Sequence, residues 1–466
     1  MSIVRPRTAA GLRIAIALSA LPSCRQLNPR FCEAHPQDVD CARLAGVDAG
    51  ACTGDLQCPA SAPVCDLSRS RCVQCTAAEL GACGGTTPVC GADETCRGCA
   101  LDAECASLTC LPDQSCAPLL DVLYVSPSAT DLATCMPDDH CSLTRALNLI
   151  DGTKATIRLD PAVYPLPATL TLPNDLHLVG RGAVVDRVGS GTGPVLAVPS
   201  NANIVIDDVT VQGGQGAGGF GIQCASATLT LREVTVQNNG GAGVSASSCA
   251  LAISDSQISS NGGAGVSASN GMVAISHSQI LNNQDLGVDQ SGGSLALTRS
   301  LVRGNKSGGL LLTRATFDLE NDMLVENGGP SSAIGGAAIT LGTPLGNVFA
   351  FNTVAQNQTA DGATPGVVCT SFVTPVAMTS SIVFGNGASV QVEGNNCVWT
   401  YSDIGPAPVQ GTGNLSGDPR FVDPAHDDFH LQAASPARDA ADPAATLAVD
   451  LDGDPRPQGA RDMGAD

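Results

Sequence analysis

The 466-residue chain is poor in lysine, in aromatic rings and in positive charge of any kind. Only Lys154 and Lys306 carry an ammonium group, and the formal net charge is −21. That excludes a nucleic-acid partner, which is held through a basic footprint that neutralises phosphates. Aromatics make up 3% of the chain, with one tryptophan, which argues against a site that clamps sugars between ring platforms. Long apolar runs are also missing. The stretch Ile14–Leu21 behind Arg5, Arg7 and Arg13 is too short to span a bilayer and reads as the core of a secretory signal. What is abundant is glycine, 52 residues, and cysteine, 21, the latter pointing to an oxidising compartment.

Between Ala227 and Asn327 the sequence repeats every 22 residues without a gap, as Leu231–Asn239, Ile253–Asn261, Ile275–Asn283, Leu297–Asn305 and Leu319–Asn327. Each copy opens on an apolar residue, places a second one five positions on, and ends at Asn239, Asn261, Asn283, Asn305 or Asn327. A glycine column, Gly243, Gly265, Gly287 and Gly309, runs beside it. A constant period means stacked units, none of which can bury its apolar face alone. Alternation such as Leu229-Thr-Leu231 and Leu251-Ala-Ile253 is a strand signal, and two more short apolar stretches follow in each copy. A leucine-rich repeat fits the strand but fails at Ser256 and at the glycines that follow each asparagine. The expected fold is all-β: a right-handed single-stranded parallel β-helix with a coil of 22 residues. Equivalent positions should then stack roughly 4.8 Å apart. The asparagines should form a ladder, and the glycines should supply positive φ at the turns.

Ahead of the repeats, residues 1–23 read as a signal peptide ending at Leu21-Pro-Ser-Cys24, which resembles a bacterial lipobox with Cys24 as the lipidated residue. Simple secretion is the alternative, because Pro22 replaces the usual small residue. Residues 24–118 form a disulfide-stapled stalk with cysteines in fours: 52, 58, 65, 72; then 75, 83, 90, 96; then 99, 105, 110, 116; Cys32 and Cys41 stand ahead as a pair. The spacings Cys72/Cys75 and Cys96/Cys99 suit a zinc knuckle, but they straddle module boundaries, so disulfides are expected. This segment resembles the cysteine-rich leaders of myxobacterial surface lipoproteins.

Residues 119–202 read as an N-terminal cap with entry coils. Val122–Val125 is a strand, Cys135 and Cys141 close a loop, and Ser142–Ile150 is a short helix with Ser142 as N-cap. The succession Cys141-Ser-Leu, Ala155–Leu159 and Leu176–Gly182 resembles the entry coils of the pectin-lyase-like superfamily of β-helix proteins. Coils should run over 203–422, with loops leaving the stack at Gly213–Gly219, Gly328–Gly342 and Gln358–Pro365. Cys224 and Cys249, and Cys369 and Cys397, lie about one coil apart and can pair. The tail, 423–466 with Gly417–Asp423 before it, resembles the choice-of-anchor Q element of bacterial surface β-helix proteins.

The superfamily resemblance would imply lyases and hydrolases with acids and cations on an exposed strand face, often with Ca²⁺. Here that face is nearly smooth, carrying Thr230, Ala252, Ala274 and Ala296, until Asp318 and Glu320 add two carboxylates. The first turn of each coil is richer: Asp208, Glu233, Asp255, His277 and Arg299 form one column that could face a ligand. Asp255, His277 and Arg299 could serve as a general acid/base set or hold an anionic sugar. Alternating charges on a solvated turn give the same pattern. Asp450, Asp452 and Asp454 have the spacing of part of a Ca²⁺ loop, though a capping turn explains them too. Two functions follow: a bacterial cell-surface lipoprotein whose β-helix is a rigid display, adhesion or glycan-binding module, or an extracellular polysaccharide lyase or glycoside hydrolase. The expected partners are a lipid anchor at the outer membrane or cell surface and an extracellular polysaccharide.

Overall fold

A computed structural model describes residues 52–76, 82–111, 113–151, 155–340, 346–360, 363–370, 375–394, 396–457 and 461–465. The signal segment, Cys24, Cys32 and Cys41 lie outside them. The described residues fall into two compact units, one reaching to Ala106 together with Asp113–Cys116, the other beginning at Ser107 and taking up again from Ala117.

The first unit is held by sulfur rather than by an apolar core. Cys52 joins Cys65 and Cys58 joins Cys72; in the next module Cys75 joins Cys90 and Cys83 joins Cys96; Cys105 joins Cys116. First-to-third and second-to-fourth pairing brackets a short antiparallel hairpin in each of the first two modules, Val64–Asp66 with Arg71–Val73 and Val89–Cys90 with Cys96–Arg97. The zinc-like spacings are used up in this way, since Cys72 and Cys96 are each bonded back into their own module.

The second unit is a parallel β-solenoid of about 11 coils with about 22 residues each. One coil shows the logic. The strand Thr228–Arg232 turns a corner at Glu233, Thr235–Gln237 turns at Asn238, and Val244–Ser247 turns at Ser248 into the next coil. Alternation sends Leu229, Leu231, Val236 and Val244 inward, each with no measurable exposure. The register is in step across coils: Leu231 pairs Ile253, Ile253 pairs Ile275, and Ile275 pairs Leu297. The core is therefore a set of apolar columns along the axis.

The corners are left-handed. Glu233, Asp255, His277 and Arg299 have φ of 54°, 50°, 47° and 49°; Asn238, Ser260 and Asn282 have 54°, 55° and 55°. The expectation that the glycine column supplies this conformation is corrected: Gly243, Gly265 and Gly287 do not have positive φ. They are small because the neighbouring coil leaves no room. A Cβ on Gly243 would lie 2.6 Å from Ile258 Cγ2 and 2.7 Å from Asn261 Nδ2.

Two polar ladders run inside the corners. Asn261 donates through its amide N–H and Nδ2 to Asn283 Oδ1 at 3.1 and 3.0 Å, and Asn283 does the same to Asn305. The ladder continues past Asn327 to Asn357, Asn386 and Gln391, where longer coils hide the period from the sequence. A second ladder, Ser256, Ser278, Ser300, Asp322 and Asn352, accepts one backbone N–H per coil. These side chains satisfy amides that the corners would otherwise bury without partners.

The N-terminal opening is closed by the helix Leu143–Leu147, with Ser142 Oγ accepting from Arg145 N at 3.0 Å. Leu143, Leu147 and Ile150 pack against the core ends. Disulfides join Cys135 to Cys141, Cys224 to Cys249 and Cys369 to Cys397, the last two linking adjacent coils. Two boundaries differ from expectation. Ala337–Thr340 lies inside the stretch read as a loop, yet it is a strand paired with Leu310–Thr313 and Val367–Thr370. Phe421–Asp423 is not a coil strand but pairs antiparallel with Asp428–Leu431, in a C-terminal segment that folds back onto the solenoid. Polar flanks and loop glycines masked the first; a local hairpin outcompeted stacking in the second.

Candidate functional site

The C-terminal segment turns the charged column into one wall of a cleft. Arg299 Nε donates to the Leu451 carbonyl at 3.2 Å, and Asn321 Nδ2, one coil further along, donates to the Val449 carbonyl at 2.7 Å. Arg456 donates to Asn321 Oδ1 at 3.0 Å, and its guanidinium sits 4.8 Å over the Phe351 ring. Asn321 and Phe351 are themselves left-handed corner residues of the same column. The corners thus expose side chains at a fixed spacing, and the tail reads them as docking points.

The resulting cleft encloses about 450 Å³ between the coils and the tail. His277, Gln279 and Arg299 face it from the coils; Asp427, His430 and Asp452 face it from the tail. Its floor is apolar: Leu301 and Met323, stacked in one column, with Phe429 of the tail packed against them. His430 is gripped at both ring nitrogens, Nδ1 by Asp428 at 2.6 Å and Nε2 by Asp452 at 2.9 Å. That bond to His430 holds the Asp428 carboxyl below its ordinary value. Asp427 is ion-paired with Arg303.

The cleft brings together His277, Arg299 and Asp452, which the sequence placed in two unrelated candidates. It does not take in Asp255 or Glu233, which stay exposed at their corners, nor Asp208, whose carboxyl burial pushes up against the pull of Arg181. Asp450, Asp452 and Asp454 do not converge as Ca²⁺ ligands. Asp450 Oδ1 accepts the Asp454 amide at 2.8 Å and closes a turn, while Asp452 faces His430. Among the described residues, every set of three candidate ligand atoms within 4.8 Å consists of cysteines.

Two charged groupings lie elsewhere on the solenoid. Asp207, 2% exposed, accepts from Arg232 Nε at 2.8 Å and bonds His177 Nε2. It adjoins Asp208 of the corner column, and its signal in the sequence is a pair of opposite charges 25 residues apart, Asp207 and Arg232. Both carboxylate oxygens are engaged, so this grouping is a fastener between coils rather than a free base. Asp318 and Glu320 share the outer face of one strand, two residues apart and so about 7 Å along it. Burial pushes both carboxyls up, Glu320 further through the charge of Asp318. Just past that strand, fully buried Asp322 is pushed well up by desolvation, its Oδ2 without a hydrogen bond.

Residues 220–403 match the family described as right handed beta helix region, which with the coil geometry shows that the chain contains a right-handed parallel β-helix. No curated protein matches it in sequence. Among solved structures it is similar to the pectate lyase Pel9A, with 12% identity and a TM-score of 0.48 over 74% of this chain and 96% of that one. It is also similar to the tailspike protein gp49 from Acinetobacter baumannii bacteriophage Fri1, a capsular polysaccharide depolymerase, with 11% identity and a TM-score of 0.39 over 65% and 64%. PfbA, a surface adhesin of Streptococcus pneumoniae, gives 10% identity and a TM-score of 0.38 over 63% and 80%.

Proposed function

We propose that the chain is an exported bacterial surface lipoprotein whose β-helix is a rigid, non-catalytic glycan-binding module. The cleft between the coils and the C-terminal segment is its binding site. The carrying observation is that, His277 apart, the cleft's charged groups are already engaged, which leaves no acid–base pair: Arg299 with a carbonyl, His430 with two carboxylates, Asp427 with Arg303. Cleavage of a glycosidic bond needs an acid and a base that are free to exchange protons. A grip needs donors and acceptors beside an apolar floor, which is what His277, Gln279, Leu301 and Met323 supply. The lipobox-like Cys24 and the anchor-like tail support display on the cell surface.

A glycan array run beside a degradation assay on neutral and acidic polysaccharides tests the reading. The expected result is binding without product release, weakened in His277→Ala at an unchanged melting temperature. Partition into detergent that disappears in Cys24→Ala tests the anchor. A polysaccharide-cleaving reading is favoured by one observation, two carboxyls on one strand face, Asp318 and Glu320, both pushed up by burial as a general acid requires. New reducing ends lost in Glu320→Gln would establish it in place of the first.

A further inference from the structure

The C-terminal hairpin walls a second cleft, of about 370 Å³, within the range of about 300–1,000 Å³ that small-ligand sites occupy. Its composition is unlike the rest of the molecule. The chain holds only nine phenylalanines, three tyrosines and one tryptophan, and most of the described rings are buried in the core. Here two half-buried rings, Phe384 from the coils and Phe421 from the hairpin, line one hollow. Around them stand planar or charged groups: Gln356, Gln432, Arg420 and Asp418.

Three of these polar groups, Gln432, Arg420 and Asp418, are held by hydrogen bonds before any ligand arrives. Gln356 occupies a left-handed corner at φ 56°, which aims it away from the coil axis. Gln432 Nε2 donates to the Phe421 carbonyl at 2.9 Å, and Arg420 Nη1 donates to the Ala434 carbonyl at 3.1 Å. Asp418 Oδ1 accepts the Arg420 amide at 2.9 Å. Each side chain keeps further donors or acceptors for a ligand. A pre-set amide and a guanidinium beside two half-buried rings match a pyranose, which offers hydroxyls at its rim and C–H groups on its faces.

Charge selects the class of sugar. Asp418 and Arg420 cancel within the cleft, and the chain as a whole carries −21. A polyanion would approach against that field, whereas an uncharged chain meets no such barrier. We propose that this second cleft is a saccharide subsite built for a neutral sugar, so that the glycan bound by the protein is a neutral polysaccharide. The inference rests on the glycan-binding reading above and goes beyond it by adding a site and a ligand class.

The test is isothermal titration of the intact protein with neutral gluco-, manno-, galacto- and xylo-oligosaccharides, and with oligogalacturonate and oligoalginate as acidic comparators. Phe384→Leu keeps apolar volume but removes the ring face, and Gln356→Asn keeps a residue that tolerates the corner. The expected result is binding of at least one neutral series, weakened about tenfold in each variant with no change in melting temperature. Neutral binding that ignores both variants but falls in His277→Ala would overturn this subsite and leave the first cleft standing. Binding of the acidic comparators alone would overturn the neutral class. No binding by any member would remove the glycan-binding reading itself and the subsite with it.

Discussion

Two adjacent asparagines offer the sharpest check on the coil geometry, because Asn282 and Asn283 look alike in sequence and do different work. Asn283 is buried without measurable exposure; its Oδ1 accepts twice from Asn261, and its Nδ2 donates to Ile258 O at 3.1 Å and Asn305 Oδ1 at 2.9 Å. Replacing it with alanine removes those four bonds and strands the Asn261 amide N–H in the interior. An ordinary bond contributes about 1 kcal/mol net, and an orphaned buried donor costs about 1–3 kcal/mol. Because Asn305 Oδ1 keeps the Asn283 backbone amide and Asn261 Nδ2 keeps Val236 O, the losses fall short of a full sum. The expected cost is about 3–4 kcal/mol. Asn282 is exposed at φ 55°, so alanine there loses only the left-handed tolerance of asparagine, about 1 kcal/mol. Urea denaturation of both variants, with native-state hydrogen exchange at the Asn261 amide, measures the difference. Equal costs, or undiminished protection of that amide in Asn283→Ala, would refute the ladder account.

Three further outcomes follow from the same geometry. Asp403 is fully buried, and burial raises its carboxyl to about 7. The unfolded chain gives up that proton first, from near 3.8, so stability should fall as pH climbs from about 4 to about 7 and then level off. Asp403→Asn should flatten that decline in pH-dependent unfolding curves; a decline of unchanged size would count against it. Ile280→Asp should cost several kcal/mol or abolish folding, while Gln279→Asp, exposed one residue earlier, should leave the unfolding midpoint nearly where it was. Peptide mapping without reduction should recover Cys52–Cys65 and Cys58–Cys72 as separate links, and a Cys72–Cys75 link would contradict the module pattern.

The solenoid was legible because its determinants are periodic and local. Leu231, Ile253, Ile275 and Leu297 fix the register simply by recurring at 22, and Asn239 through Asn327 mark the ladder in the same way. The column at Glu233, Asp255, His277 and Arg299 was legible as a column of turn residues, but its left-handed conformation was not. A left-handed turn constrains φ and leaves the side chain free, so four unrelated chemistries occupy one conformation. The serine ladder went unread because Ser256 counted only as a mismatch to another repeat, although Ser278 and Ser300 repeat it. The clefts could not be read at all. They depend on bonds such as Arg299 to Leu451 and Asn321 to Val449, which join residues 152 and 128 positions apart.

The direction of the hydrogen bonds has a mechanical consequence for a solenoid pulled by its two ends. In a parallel solenoid the backbone bonds between coils lie along the axis, so a chain pulled by its ends peels the terminal rungs first. Coils should unravel singly, each releasing about 70 Å of extended chain. The Cys224–Cys249 and Cys369–Cys397 bridges each sew a coil to its neighbour across this line of failure. Under force they act as rip-stops, and reduction would convert a stepwise, interrupted extension into a continuous one.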